Sequence, residues 1–320
     1  MRTITIEEHF LADGIREMMR NTSNQAFLTK QGEKLADLGS IRLQDMDAGG
    51  IDLQVISHGI ADLTALPTDE VVRLTRTAND QLAIAITAHP DRFAGFAALP
   101  MTDPQAAVAE LKRTVQSLGF KGAMINGTTN GRFLDDPSFF PILQQAVALD
   151  VPIYIHPAEP PAGVREAYYT GFDPAVNFSL SANGWGWHSE VGIHALRMIL
   201  AGVFDRLPTL QIIIGHMGEM IPFMLARINN TLTPVAKNLQ RPVPAYFLHN
   251  FYITTSGFFT DPPFLLALEI MGIERIIFSV DYPYSTNEQG RTFLDHAPIS
   301  LADKEKLSHL NAERLLKLGS

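Results

Sequence analysis

The 320-residue chain contains no cysteine, so it offers no disulfide framework, no thiolate nucleophile and no cysteine-ligated zinc, and redox chemistry does not fix its compartment. Charged residues are scarce at 18%, against roughly 25% in an average globular chain, while apolar residues reach 46%. Much of the sequence must therefore be interior, which excludes disorder as its main state. Basic residues are the scarcer sign. With 25 Lys and Arg against 34 Asp and Glu, the net charge is −9 with His neutral, which argues against nucleic acid or an anionic membrane as partner. Long hydrophobic runs are missing as well: no stretch approaches the ~18 uninterrupted apolar residues of a membrane span. The opening MRTITIEEHF lacks the basic region and apolar run of a secretion signal. The expectation is a soluble, cytoplasmic protein. Gly (23) and Pro (20) lie near average usage, which excludes collagen-like and low-complexity chains.

What is present is an alternation of short apolar, β-rich runs with longer stretches whose apolar residues recur every three or four positions. Strands are expected at Thr3–Glu8, Ile51–Ser57, Phe93–Leu99, Gly122–Asn126, Val151–His156, Leu210–Gly215, Phe251–Thr255 and Arg275–Val280. Helices are expected at Asp69–Ala88, Pro104–Leu118, Pro137–Leu149, Glu190–Phe204, Glu219–Val235 and Pro262–Met271, with a final amphipathic helix in the tail after Ser300. Asp103-Pro104, Asp136-Pro137 and Asp261-Pro262 each place a capping acid ahead of a proline suited to a first helical turn. Eight strands alternating with helices read as an α/β fold, a distorted (β/α)8 TIM barrel. Two connections, 10–40 and 157–189, are too long for plain βα loops and read as inserts of the kind that are either functional, as lids over a substrate, or disordered. No linker divides the chain, so residues 1–320 are expected to form one domain.

Chemistry in such a barrel sits where strands end. The expected strands end in Glu7-Glu8-His9, Ser57-His58, Asn126, His156, Gly215-His216, Thr255-Ser256 and Asp281. Glu7 and His9 share a strand face and Glu8 takes the other. Taken singly, each of these residues has a bland explanation: a solvated strand end, a satisfied histidine, a turn acid. Together, Glu7, His9, His156 and Asp281 bring two carboxylates and two imidazoles to one barrel mouth, a donor set suited to zinc or manganese. Glu219 follows His216 closely enough to fix its tautomer, or is simply a first-turn acid. Arg227, eight residues further on, is either an anchor for a substrate anion or a surface arginine. Trp185, Trp187, Tyr168 and Tyr169 either wall the pocket or pack the insert, and His188 and His58 either border the site or have local roles.

EEHF (Glu7–Phe10), RLQDMDAGGID (Arg42–Asp52), FKGAMING (Phe120–Gly127), YIHP (Tyr154–Pro157), HALRMILAGVFDRLP (His194–Pro208), IIIGHMGEMIPF (Ile212–Phe223), IIFSVDYPY (Ile276–Tyr284) and NAERLLKL (Asn311–Leu318) together resemble the amidohydrolase-2 branch of the amidohydrolase superfamily. Within that branch the chain is similar to the nonoxidative aromatic acid decarboxylases, of the γ-resorcylate and 2,3-dihydroxybenzoate type. The resemblance implies Glu7, His9, His156 and Asp281 as ligands of one divalent ion per subunit, Zn2+ or Mn2+. It also implies His216 and Glu219 as a pair beside the substrate, Asn126 and Arg227 as contacts to an aromatic carboxylic acid, and Asp281 as the carrier of the proton that replaces CO2. Binuclear relatives bridge their ions with a modified lysine on the fourth strand; here Lys121 begins that strand and Asn126 ends it, so a single ion is expected. A homodimer or homotetramer is implied too. The same ligands also suit a hydrolase of a lactone, amide or ester, and that alternative stays open. The segment after the first strand and Gly184-Trp185-Gly186-Trp187-His188 depart from the decarboxylase pattern, so the exact substrate is the least transferable part.

Overall fold

Eight parallel strands carry the expected apolar runs: β1 Ile4–Phe10, β2 Leu53–His58, β3 Phe93–Gly95, β4 Ala123–Asn126, β5 Ile153–His156, β6 Ile212–Ile214, β7 Phe251–Thr254 and β8 Ile276–Ile277. The computed structural model describes residues 1–19, 25–59 and 63–319. The helices in chain order are α1 Asp13–Met19, α2 Gln25–Ala36, α3 Ser40–Ala48, α4 Thr68–Ala88, α5 Pro104–Leu118, α6 Phe140–Leu149, α7 Ala162–Tyr168, α8 Pro174–Ser181, α9 Gly186–Leu200, α10 Val203–Arg206, α11 Ile221–Leu232, α12 Val243–Asn250, α13 Asp261–Met271, α14 Asn287–His296, α15 Leu301–Glu305 and α16 Asn311–Leu316.

Backbone ladders join β1-β2-β3 and β4-β5-β6-β7-β8, and a parallel bridge between Ala97 and Ala123 links the two sets. The remaining seam, β8 to β1, is knitted largely by side chains. Ser279 Oγ accepts from Ile6 N (2.9 Å) and Glu7 N (2.7 Å) and donates to Glu8 Oε1 (3.0 Å). Glu8 also accepts from Val280 N (3.0 Å) and Tyr282 N (2.9 Å), and His9 N donates to Tyr282 O. The acid assigned by strand alternation to the face away from the site thus closes the distorted TIM barrel.

Strand alternation builds the site on an apolar floor. Ile4, Ile6, Val55, Phe96, Met124, Tyr154, Ile213, Tyr252 and Ile277 form one buried cluster, which takes in Ala312 and Leu316 of α16 at the chain's end. Two residues further along their strands, on the same face, come Asn126, His156, Gly215 and Thr254. The other strand face packs against the helices through residues such as Phe10, Ile56, Ile125, Ile155, Ile214 and Ile253. β1 shifts register between Thr5 and Glu8. That irregularity lets Ile6 stay in the apolar floor while Glu7 and His9 enter the polar layer above it.

The helix boundaries refine the sequence reading. Asp103 accepts from Gln105 N and Ala106 N, and Asp136 from Ser138 N, as their positions predict, but Asp261 lies inside α13 behind Thr260 and makes no cap bond of this kind. The single helix expected over Glu190–Phe204 is two, α9 and α10, separated by Gly202 at φ +72°. The helix expected from Glu219 begins only at Ile221, because Glu219 and Met220 adopt left-handed backbone (φ +52° and +65°). The two long connections are not plain loops: α1 and α2 occupy much of 10–40, whose residues 20–24 lie outside the described residues, and α7, α8 and the start of α9 occupy 157–189. Segments that length order more readily when they form helices of their own.

Candidate active site

One potential ligand atom from each of Glu7, His9, His156 and Asp281 lies within 4.8 Å of the others. His9 Nε2 is 3.2 Å from Asp281 Oδ1, and His156 Nε2 is 3.5 Å from Glu7 Oε1. The opposite edges of the ligands are already engaged. Nδ1 of His156 meets the Pro157 carbonyl (2.8 Å), and Nδ1 of His9 meets Ser57 Oγ (3.2 Å), which leaves each Nε2 facing inward. Glu7 Oε2 accepts from the Tyr154 hydroxyl and from Thr254 Oγ1 (2.9 Å), which leaves Oε1. Glu7 Oε1, His9 Nε2 and Asp281 Oδ1 are buried without a hydrogen-bond partner among the described residues. Buried polar atoms are seldom left unpaired, and three of them in a cluster of this composition fit a divalent cation. Gly215 makes the arrangement sterically possible, since a Cβ there would lie 2.8 Å from Glu7 Oε1.

Beside this set stands a bridged carboxylate. Glu219 Oε1 accepts from His216 Nδ1 (2.7 Å), and its Oε2 from His188 Nδ1 (2.6 Å). With both oxygens so engaged, the trio reads as a hydrogen-bonded unit rather than a second metal site. His216 Nε2 then faces the donor set, 3.8 Å from Glu7 Oε1 and 3.9 Å from Asp281 Oδ2. Residues 216, 217, 219 and 220 all have positive φ, so the segment after β6 doubles back tightly enough for Glu219 to reach His216 before α11 begins.

Burial and mutual charge set the protonation of the protein alone. Burial raises the Glu7 carboxyl. Burial also opposes the ionised form of Asp281, but the neighbouring His216 and His9 rings outweigh it and bring that group down to about 2. Burial penalises a charged His216, yet Glu219 and Glu7 hold it well above the ordinary histidine range. His156 is depressed, by burial first and by the neighbouring His9 second, which suits a neutral ligand.

The sequence-derived residues fall into two groups. Glu7, His9, His156, Asp281, His216 and Glu219 come together, and Asn126 borders them, aligned with His156 in the β4–β5 ladder and with a buried Oδ1 that has no partner among the described residues. Arg227 does not join them. It is exposed on α11, whose buried face is Ile221, Pro222, Leu225 and Ile228. Its expected alignment with Glu219 assumed one continuous helix, and Glu219 precedes the helix. His58 has a local role, accepting from Ala12 N at 3.2 Å. Trp185 and Tyr168 are exposed, and Tyr169 is buried with its hydroxyl 3.4 Å from Ser189 Oγ. Trp187 is half-buried, and the rings packed against the site histidines are others: Phe258 lies edge-on to both His188 and His216 (ring centroids 5.6 and 5.9 Å), and Tyr284 lies 5.7 Å from His9. Both sit in turns after β7 and β8, where no periodicity marks them.

Comparison with known proteins agrees with this architecture. The chain is 39% identical to Decarboxylase orsB of Emericella nidulans over 98% of its length and 97% of the relative's. It is 36% identical to the gamma-resorcylate decarboxylase of Rhodococcus jostii, with 98% of each chain covered. A dihydroxybenzoic acid decarboxylase from Polaromonas sp. JS666, solved with bound manganese and the inhibitor 2-nitroresorcinol, superposes with a TM-score of 0.91 at 33% identity, over 99% of this chain and 97% of that one. The amidohydrolase profile matches residues 26–318. With a barrel of this form and near-complete coverage by these relatives, the chain belongs to the amidohydrolase family.

Proposed function

We propose that this protein is a metal-dependent, nonoxidative decarboxylase of an ortho-hydroxylated benzoate, a small aromatic acid of the 2,6-dihydroxybenzoate type. The observation that carries the reading is the largely buried Glu7/His9/His156/Asp281 donor set, three of whose inward atoms have no partner among the described residues, in a chain aligned end to end with gamma-resorcylate decarboxylase. Those four residues would hold one divalent ion, for which manganese in the Polaromonas relative makes Mn2+ the first choice and Zn2+ the second. When bound, the ion supplies Lewis acidity and a template for the substrate's anionic oxygens.

The chain's own residues carry the proton chemistry. Loss of CO2 directly from an intact ring would leave an aryl anion, so the ring carbon bearing the carboxylate takes up a proton before the C–C bond breaks. The net change is one proton gained and one CO2 released. Asp281, ionised in the protein alone, is assigned to take up a proton drawn from solvent as substrate binds and to pass it to that carbon. His216, held by Glu219, is assigned to the phenolic proton, and Asn126 to a polar contact with the acid or its ring hydroxyl. Phe258 and Tyr284 provide flat apolar surface for an aromatic ring. Arg227, exposed on α11, lies outside this group in the single chain, and its expected contact to the acid's anion is kept as a proposal.

The reading extends to the whole chain: 1–320 as one barrel domain, with 10–40 and 157–189 covering the mouth. Self-association into a dimer or tetramer belongs to the same reading, with the exposed Phe172, Phe178, Trp185, Ile193 and Phe223 as candidates for the covered face.

The test is to load the protein with Mn2+ or Zn2+ and offer hydroxylated benzoates in one panel and lactones, amides and esters in another. Equal amounts of phenol and CO2 from an ortho-hydroxybenzoate are expected. Cleavage in the second panel with none in the first would transfer the site to hydrolysis.

A further inference from the structure

We infer that His188 is a positioning residue that acts through Glu219 to hold the His216 ring, tying the 157–189 insert to the reacting centre. Glu219 is shared symmetrically: one oxygen takes His216 Nδ1 at 2.7 Å and the other takes His188 Nδ1 at 2.6 Å. A carboxylate gripped by one ring keeps freedom to rotate, whereas one gripped at both oxygens has its plane fixed and passes that restraint to the second ring. The two imidazoles lie 4.9 Å apart at 70°, and Phe258 packs against both.

The GWGWH segment, which departs from the decarboxylase pattern, supplies the local reasons. Side chains at Gly184 and Gly186 would place Cβ atoms 2.6 Å from Ser179 O and 2.1 Å from Ser181 O, so both glycines permit the close turn between α8 and α9. That turn presents the Asn183 carbonyl to His188 Nε2 at 3.1 Å. One helical turn beyond His188, on the same face of α9, comes Gly192, where a Cβ would lie 3.1 Å from Glu219 O. The missing side chain allows α9 to approach the backbone of Glu219 while His188 reaches its carboxylate. Each ring nitrogen of His188 therefore faces an acceptor, one on the dyad and one on the insert.

Three substitutions separate this role from packing. An asparagine amide occupies the place of Nδ1, and a glutamine amide that of Nε2. His188→Asn therefore keeps the donor to Glu219, and His188→Gln keeps only the contact to Asn183. The expected result is that His188→Ala and His188→Gln lower kcat by about 10–100-fold with KM and metal content little changed, while His188→Asn restores most of kcat. Equal impairment in Asn and Gln, or wild-type kcat in all three, would overturn the proposal. The kinetic arm rests on the decarboxylase reading, so a second arm does not. In protein labelled with 15N-histidine, the hydrogen-bonded Nδ1 proton of His216 should be seen downfield in wild type and His188→Asn and be lost or broadened in the Ala and Gln variants. An unchanged signal in the Gln variant contradicts the positioning role whatever the substrate.

Discussion

A Cβ on Gly215 would come within 2.8 and 2.9 Å of the two Glu7 carboxylate oxygens, whereas its φ of −79° is one alanine adopts freely. Gly215→Ala therefore perturbs the donor set without backbone strain. Metal affinity is expected to fall by about 10–100-fold in a metal titration with little change in unfolding midpoint; undiminished affinity would remove Glu7 from the ligands. Asp281→Asn tests the neighbouring assignment. It should retain the ion and bind 2-nitroresorcinol yet lose turnover, and substantial turnover would reassign the proton. At this scale the sequence was informative where strands stop, since Glu7, His9 and His156 stand at or near strand ends and Asp281 a few residues beyond one, and the barrel brings the four together. It put Glu8 on the opposite strand face but gave it no partners; fully buried, that acid accepts hydrogen bonds from Val280, Tyr282 and Ser279 across the β8–β1 seam. Phe258 and Tyr284 were equally hidden, because turns after strands obey no face rule.

Arg42 ties several elements together. Fully buried, it donates from Nη2 to the His9 carbonyl (2.6 Å), from Nη1 to Gln54 Oε1 (3.1 Å) and from Nε to the Asp37 carbonyl (3.0 Å), and it lies over the Tyr282 ring. It thereby braces β1 and the turn after β8, the two segments that carry Glu7, His9 and Asp281. Arg42→Met should cost about 3 kcal/mol in denaturant unfolding, with metal binding weakened as well; a change under about 0.5 kcal/mol, the usual size for an indifferent surface site, would mean the brace is not needed. Two buried histidines make a pH prediction. Burial depresses His194 on α9, which accepts from Leu134 N, to about 3, and depresses His58 to about 4. Both rings are neutral when folded and titrate near 6.5 when unfolded. Their stabilisation is therefore present above pH 6.5 and is lost as the pH falls toward 3–4. His194→Gln, which keeps an acceptor for Leu134, should flatten the loss of stability between pH 7 and 5, and an unchanged slope would refute the assignment. Helix positions were legible from apolar spacing, as in Pro104–Leu118, but helix starts set by left-handed backbone were not. Glu219 and Arg227 seemed to share a helical face for that reason.

For the molecule as a whole, apolar floor, polar layer and covering helices form one barrel, and an ion in the donor set would favour the folded state over the unfolded. Metal at 100 times its Kd should add about 2.7 kcal/mol of stability, so a chelator should lower the unfolding midpoint, and Mn2+ or Zn2+ should restore it. The insert 157–189 explains why the substrate was the least legible part of the sequence: its helices are fixed by contacts such as His188 with Glu219, not by a pattern within the segment. The most direct test of the central claim is to run the reaction of the Mn2+-loaded protein on 2,6-dihydroxybenzoate in D2O and examine the product by NMR. The account predicts 1,3-dihydroxybenzene carrying one deuterium at the carbon that bore the carboxylate, with CO2 in equal amount and no product from Asp281→Asn. Full metal occupancy with no deuterated phenol from this or any other ortho-hydroxybenzoate would contradict it.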